Sequence, residues 1–271
     1  MNQAILGLII AAMLTVVGLA SYRFLDPRIK LPGDDGAVIK TEQTATSSKI
    51  GNTTSSKPAV VQKKPVATQE ALPKQVELEV PFVPEAPGGD WSGPWKNACE
   101  EASLVMAEEF YRGNTTMSVQ AAKTRMTELF RYQDKNWGSN ANSDAARTAY
   151  IANQIMDFTA VVVTDPTLED IKKEVAAGRP VITLNHGKEL GNPNTPFLAT
   201  GSFYHMLVVI GYDDETGEFI TNDDGDEKEG AGKRYEYAHF MASIHDYVAK
   251  TRTTDGPVRV IFTSAKTEVI K

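Results

Sequence analysis

Cys99 is the only cysteine in the 271-residue chain, and it stands where a helix is predicted to begin, in PWKNACEEASLVMAEEF. A lone cysteine is commonly a small buried hydrophobe. At a helix start it has a second use, because the unpaired N–H groups and the helix dipole favour the thiolate, which is the nucleophilic form. The same N–H groups suit the oxyanion of a tetrahedral intermediate. Asn97 and Glu100 have the form of a capping box, with Asn97 as N-cap, which puts Cys99 in the first turn. Glu100 and Glu101 oppose a thiolate at that place, so the thiol needs a cationic partner.

His205 is the candidate for that partner. It opens the run HMLVVIGYD after the loop LATGSFY, where an imidazole can point from a sheet edge into a cleft or merely bond to backbone. Asp223 ends the next apolar run, EFITNDD. The turn DETG, closing on Gly217, predicts that the two runs form a hairpin. His205 and Asp223 then share its open end, where a carboxylate orients an imidazole and stabilises its cation. NDDGD also reads as a polar turn or as a calcium loop, although it lacks the length and final glutamate of an EF-hand. His186 could line the cleft, whereas His239 and His245 fall in a helical stretch with a solvated or capping role. Trp91, Trp95 and Tyr204 flank the site and either shape substrate pockets or pack on the core. One cysteine excludes an intrachain disulfide and a multi-cysteine zinc site. No metal or organic cofactor is implied.

The elements that must hold these residues are legible as patterns. Ala102, Val105, Met106 and Phe110 fall at helical spacing up to Gly113. SVQAAKTRMTELFRY and SDAARTAYIANQIMDF read as further helices. TAVVV is a short strand, and PTLEDIKKEVAAG is a helix with Pro166 near its start and Gly178 at its end. PVITL, YHMLVVIGYD, EFITND and PVRVIFT read as strands, and YAHFMASIHDY as a helix. Helices come first and strands later, which predicts an α+β domain.

Met1 to Tyr22 carries no charged side chain, and such a run is long enough to cross a bilayer, which takes ~20 residues. Residues 1–24 are therefore expected to be a transmembrane or signal-anchor segment, with cleavage after Ala20 as an alternative. Arg23, Arg28 and Lys30 follow the apolar run, which by the positive-inside rule favours a cytoplasmic C-terminal side. The layout of anchor, spacer and domain points the other way, to an extracytoplasmic domain. Residues 25–75 are expected to be a disordered linker; from 41 onward they hold no aromatic residue and are dominated by Thr, Ser, Lys, Pro and Gln. The folded domain is expected over 76–271. With 28 basic against 35 acidic residues and a net charge of −7, the chain is a poor partner for nucleic acid.

The order Cys, His, Asp, with the thiol on a helix and the base on a sheet, is the papain-like arrangement. The chain resembles bacterial papain-like peptidases of the double-glycine leader type, peptidase family C39, in its stand-alone C39-like branch. The resemblance covers most of 80–247 through VPFVPEAPGGDW, CEEAS, SDAARTA, AAGRPVI, GNPN, YHMLVVIGYD and FITNDDGD. It implies a papain-like fold, a peptide or protein substrate, Cys99 as nucleophile, His205 as general base and Asp223 as orienting residue. Related domains usually carry a Gln before the Cys whose amide helps form the oxyanion hole. Here that position is Glu85; an ionised carboxylate would repel the oxyanion, whereas one protonated by burial could serve, or backbone N–H groups could suffice. Asp224 stands where a proline is common, a change expected to act mainly on the turn. The expected function is a membrane-tethered thiol hydrolase working through an acyl-enzyme. The alternatives are a peptide-binding module that has lost turnover and a thiol acyltransferase.

Overall fold

The computed structural model describes residues 71–192 and 204–266. The chain divides after Pro65 into two units, and the described residues all belong to the second. The expected anchor at 1–24, and the linker up to residue 70, lie outside the described residues. No helix among the described residues is long and apolar enough to cross a membrane.

The strands are β1 (Gln75–Glu77), β2 (Phe158–Thr164), β3 (Val181–His186), β4 (Tyr204–Asp213), β5 (Glu218–Asn222), β6 (Lys233–Glu236) and β7 (Arg259–Ala265). They form one sheet in the order β2-β7-β3-β4-β5-β6, with β1 beside the far half of β4. Every pairing is antiparallel. The helices are α1 (Cys99–Tyr111), α2 (Val119–Trp137), α3 (Ala145–Ile155), α4 (Leu168–Ala176), the single turn α5 (Gly187–Leu190) and α6 (Tyr237–Ser243). The domain is thus a mixed α+β fold, as the patterns indicate.

Alternation along β4 assigns its two faces. Met206, Val208 and Ile210 pack with Ala102, Val105, Met126 and Ile151 of α1, α2 and α3. Leu207 and Val209 pack with Ile171 and Val175 of α4 and Phe240 of α6. Helices cover both faces, so β4 is buried from end to end, which explains why YHMLVVIGYD reads as a nearly unbroken apolar run. Each such side chain contributes about 1.5–3 kcal/mol through removal from water.

The predicted hairpin is present. Asp213 faces Glu218 across the turn, and a bulge at Ile210 shifts the register so that Val208 faces Asn222. Gly211, next to the bulge, is required by close approach: a Cβ there would sit 2.5 Å from the Val76 carbonyl oxygen in β1. α4 starts with a full capping box in which Thr167 and Asp170 satisfy each other's backbone N–H.

Candidate active site

Cys99 is the first residue of α1, entered through a 3-10 turn at Gly93–Asn97. The expected capping box at Asn97 and Glu100 is absent. The N-cap is Ala98, with no side-chain cap, and the Glu100 carboxylate is used elsewhere. Its Oε1 accepts the Ser143 N–H at 2.7 Å, and its Oε2 lies 3.3 Å from the Cys99 sulfur, which donates to it. The cause is the central position of α1. Every residue from Cys99 to Glu109 is buried, so its acidic side chains find partners inside the protein. Glu101 accepts from Gln133, and Glu108 takes both Nε and Nη2 of Arg125 at 2.7 and 2.9 Å.

His205 and Asp223 meet as the hairpin predicts. His205 Nε2–H donates to Asp223 Oδ1 at 2.7 Å, with both side chains fully buried. Asp223 has three further donors. Gly225 N–H reaches Oδ1 at 3.2 Å, while Tyr235 Oη and Asn192 Nδ2 reach Oδ2 at 2.5 and 2.7 Å. Its carboxylate is therefore saturated by hydrogen bonds. The loop after it closes on Gly230, whose carbonyl takes the Asp223 N–H at 2.9 Å and whose N–H donates to Asp226 O at 2.8 Å. NDDGD is the polar turn of the alternatives above, built to hold Asp223.

The charges of the site can be ordered. Burial pushes Asp223 up, but the imidazolium and the donated hydrogen bonds outweigh it and hold the carboxyl down to about 2. Burial depresses His205, and the charge and hydrogen bond of Asp223, with Glu85 and Glu100 behind them, raise it above the ordinary histidine value. Cys99 departs from the sequence expectation of a lowered pKa. Burial, then Glu100, Glu85 and Asp224, push the thiol well above its ordinary range, against the Met206 backbone N–H, which favours the thiolate. The helix start does not outweigh burial and the carboxyl groups around it. Among the described residues no hydrogen bond joins the Cys99 sulfur to His205; the thiol instead bonds Glu100 and meets the backbone of the residue next to that histidine.

Glu85 and Asp224, the two departures noted in the sequence, converge on the imidazole. Glu85 is held by its backbone N–H on Asp224 O at 2.8 Å and by its Oε1, which accepts the Ala98 N–H at 3.0 Å. Asp224 does more than shape a turn. Its Oδ2 accepts from Ser103 Oγ at 3.1 Å, and its Oδ1 lies 3.8 Å from His205 Nε2. Glu85 Oε2 and Asp224 Oδ1 are buried with no hydrogen-bond partner among the described residues. One donor atom each from Glu85, His205 and Asp224 falls within 4.8 Å of the others, so these three residues could close on a metal ion or share protons. Burial, with the neighbouring carboxyls, raises Glu85 to about 8 and Asp224 well above its ordinary value.

The remaining candidates lie outside this cluster. Tyr204 is buried, its hydroxyl donating to Ser143 O at 2.8 Å and its ring 5.1 Å from Tyr247. Trp91 is half-buried in the loop before α1, and Trp95 packs edge-on to Phe130 at 5.3 Å. His186 Nδ1 accepts the Glu189 N–H in α5, His239 Nε2 bonds Leu190 O, and His245 Nδ1 bonds Gly256 O. Asn192 and Tyr235, the other side chains fixing Asp223, are not found by sequence reasoning, although Asn192 lies in the GNPN block.

Comparison with known proteins adds a family. The model of the Peptidase_C39 like family matches residues 77–253. A crystal structure of a protein assigned as a C39-like peptidase, from Bacillus anthracis, is similar over 72% of this chain and 100% of its own. The identity is 16% and the TM-score 0.47. No curated protein matches the chain.

Proposed function

The chain belongs to the peptidase C39-like family, and on that footing we propose that it is a thiol hydrolase cutting a peptide or related amide. Cys99 is the nucleophile, His205 the general base and Asp223 the residue that orients it. The observation that carries this reading is the buried His205–Asp223 pair at 2.7 Å, set beside Met206, whose N–H meets the Cys99 sulfur.

Asp223 occupies Nε2, so the thiol proton passes to Nδ1 and the sulfur leaves Glu100 to give it up. The thiolate attacks the carbonyl carbon, and the C=O electron pair moves to oxygen. Collapse breaks the C–N bond as the imidazolium returns its proton to the leaving amine. Water, deprotonated by the same histidine, then releases the acyl group. At rest the thiol and the imidazolium both hold protons, so one must leave before the nucleophile forms.

Alkylation of Cys99 in the full chain by iodoacetamide, followed against pH, tests the pair. In the wild type, where the imidazole takes the thiol proton, the rate is expected to level off at a pH set by the His205–Asp223 pair. In His205→Ala the buried carboxyls should drive it far above that value. Identical curves for the two proteins would sink the triad. They would favour the second reading, a peptide-binding module without turnover, to which the thiol–Glu100 bond and Glu85 already lend support.

The proposal extends to the rest of the chain on sequence grounds alone. Residues 1–24 anchor the protein in a membrane, the residues from 25 up to 70 act as a tether, and the domain, whose first strand begins at Gln75, meets a peptide or protein substrate on the extracytoplasmic side.

A further inference from the structure

We propose that Glu85 serves this chain as a neutral acid, its Oε2 hydroxyl donating to the oxyanion the hydrogen bond that a glutamine amide gives in related domains. The inference rests on the thiol-hydrolase reading and assigns a role to its most discordant residue. The residue is held at its backbone by Glu85 N–H on Asp224 O and at its carboxyl group by Ala98 N–H on Oε1. Ala98 directly precedes the nucleophile, so the second bond ties the acid to the start of α1. The other oxygen, Oε2, is buried and has no partner among the described residues, an arrangement costly for a carboxylate and suited to a hydroxyl awaiting an acceptor. Glu85 is only 1% exposed.

The groups facing it favour the proton. Glu100 from α1 and Asp223 from the loop after β5 supply negative charge, Asp224 competes with Glu85 for a proton, and the Cys99 thiol faces the same group, while the His205 imidazolium and the Ala98 N–H act the other way. A second anion among them is disfavoured, as in any pair of close carboxyls. The consequence is a residue that donates at neutral pH and repels at alkaline pH, with a crossover near 8. No proton is transferred from Glu85. Its O–H bond stays intact while the oxygen it touches gains and later loses negative charge.

Two probes of Cys99 separate this role from thiol activation. Iodoacetamide is displaced at a saturated carbon and makes no oxyanion, whereas p-nitrophenyl acetate must pass through one. The full chain, Glu85→Gln, Glu85→Ala and His205→Ala are compared from pH 6 to 9.5, with circular dichroism to verify folding. Acylation by the ester, read as the p-nitrophenolate burst, should fall at least tenfold in the wild type between pH 7.5 and 9.5 while alkylation does not. Glu85→Gln should abolish that fall, and Glu85→Ala should lower acylation on the order of 10²-fold below pH 7.5, a loss well beyond its effect on alkylation over the same range. Acylation that tracks alkylation throughout, or a Glu85→Gln variant as damaged as Glu85→Ala, would overturn the proposal. So would an alkaline fall that EDTA removes, because it would belong to a bound cation. If no variant is acylated at any pH and His205→Ala alkylates like wild type, the thiol-hydrolase reading itself fails and takes this proposal with it.

Discussion

At the residue scale the site is an excess of carboxyl groups around one imidazole. Glu85, Glu100 and Asp224 are buried and raised, and only Asp223 is held low. Linkage turns this into a stability statement. Glu85 keeps its proton to about 8 when folded but titrates near 4.5 when unfolded. The native state therefore binds more protons across that window, and stability falls as pH rises through it. His205, raised above its usual value, acts in the same sense: its contribution is complete below ~6.5 and fades as pH climbs through the folded pKa. Asp223 acts oppositely, its contribution fading only as pH drops from ~3.9 toward about 2. Urea unfolding should thus give a larger unfolding free energy at pH 5.5 than at pH 9, by on the order of 2–4 kcal/mol at ~1.4 kcal/mol per pKa unit. Glu85→Gln should flatten part of the slope. Equal stability at both pH values in the wild type would show that the cluster is ionised or hydrated in solution.

At the element scale the β4–β5 hairpin and the loop behind it set the His205–Asp223 geometry. Gly230 is required by closeness: a Cβ on it would lie 2.0 Å from the Asp223 carbonyl oxygen and 2.4 Å from that of Asp226. Gly230→Ala must push the loop outward and carry Asp223 off the imidazole. A loss of about 2–4 kcal/mol is expected, with the alkylation curve of Cys99 moving toward that of His205→Ala. An unchanged curve would mean that the loop does not position Asp223. This same hairpin is what the sequence makes legible. Gly217 marks the turn, the apolar runs mark the strands, and counting back from the turn brings residues 205 and 223 to one end. The bulge at Ile210 has no such mark, yet it decides the register. β1 and β6, three and four residues long with polar positions, lack the apolar length that signals a strand. Asn192 and Tyr235 reach Asp223 from outside the hairpin, so no local spacing reveals them. The capping box misled because a motif describes an exposed helix end, whereas Glu100 is buried and answers to Ser143, 43 residues away.

At the scale of the whole molecule the sheet is covered on both faces, and the proposed tether, up to residue 70, lies outside the described residues. Anchoring is a property of 1–24 alone in the proposal, so it is separable from folding of the domain. Membranes washed with alkaline carbonate should retain the full chain and release a version lacking 1–24. Protease added to intact cells should remove the 76–271 domain. Release of the full chain by carbonate, or a protected domain, would put the anchor or its orientation out of consideration. Recovery of a chain beginning after Ala20 in the medium would identify a cleaved, secreted form.

The hydrogen bond from the Cys99 thiol to Glu100 has a consequence for survival. Peroxide attacks thiolates in contact with water, and here the thiol is protonated at rest and Cys99 as a whole only 3% exposed. A lone cysteine with no neighbouring thiol to rescue a sulfenic acid would otherwise be lost to over-oxidation in an oxidising medium. In the proposed mechanism the carboxylate that delays the nucleophile also shelters it, so the working lifetime of the protein would be governed by how often the sulfur leaves Glu100.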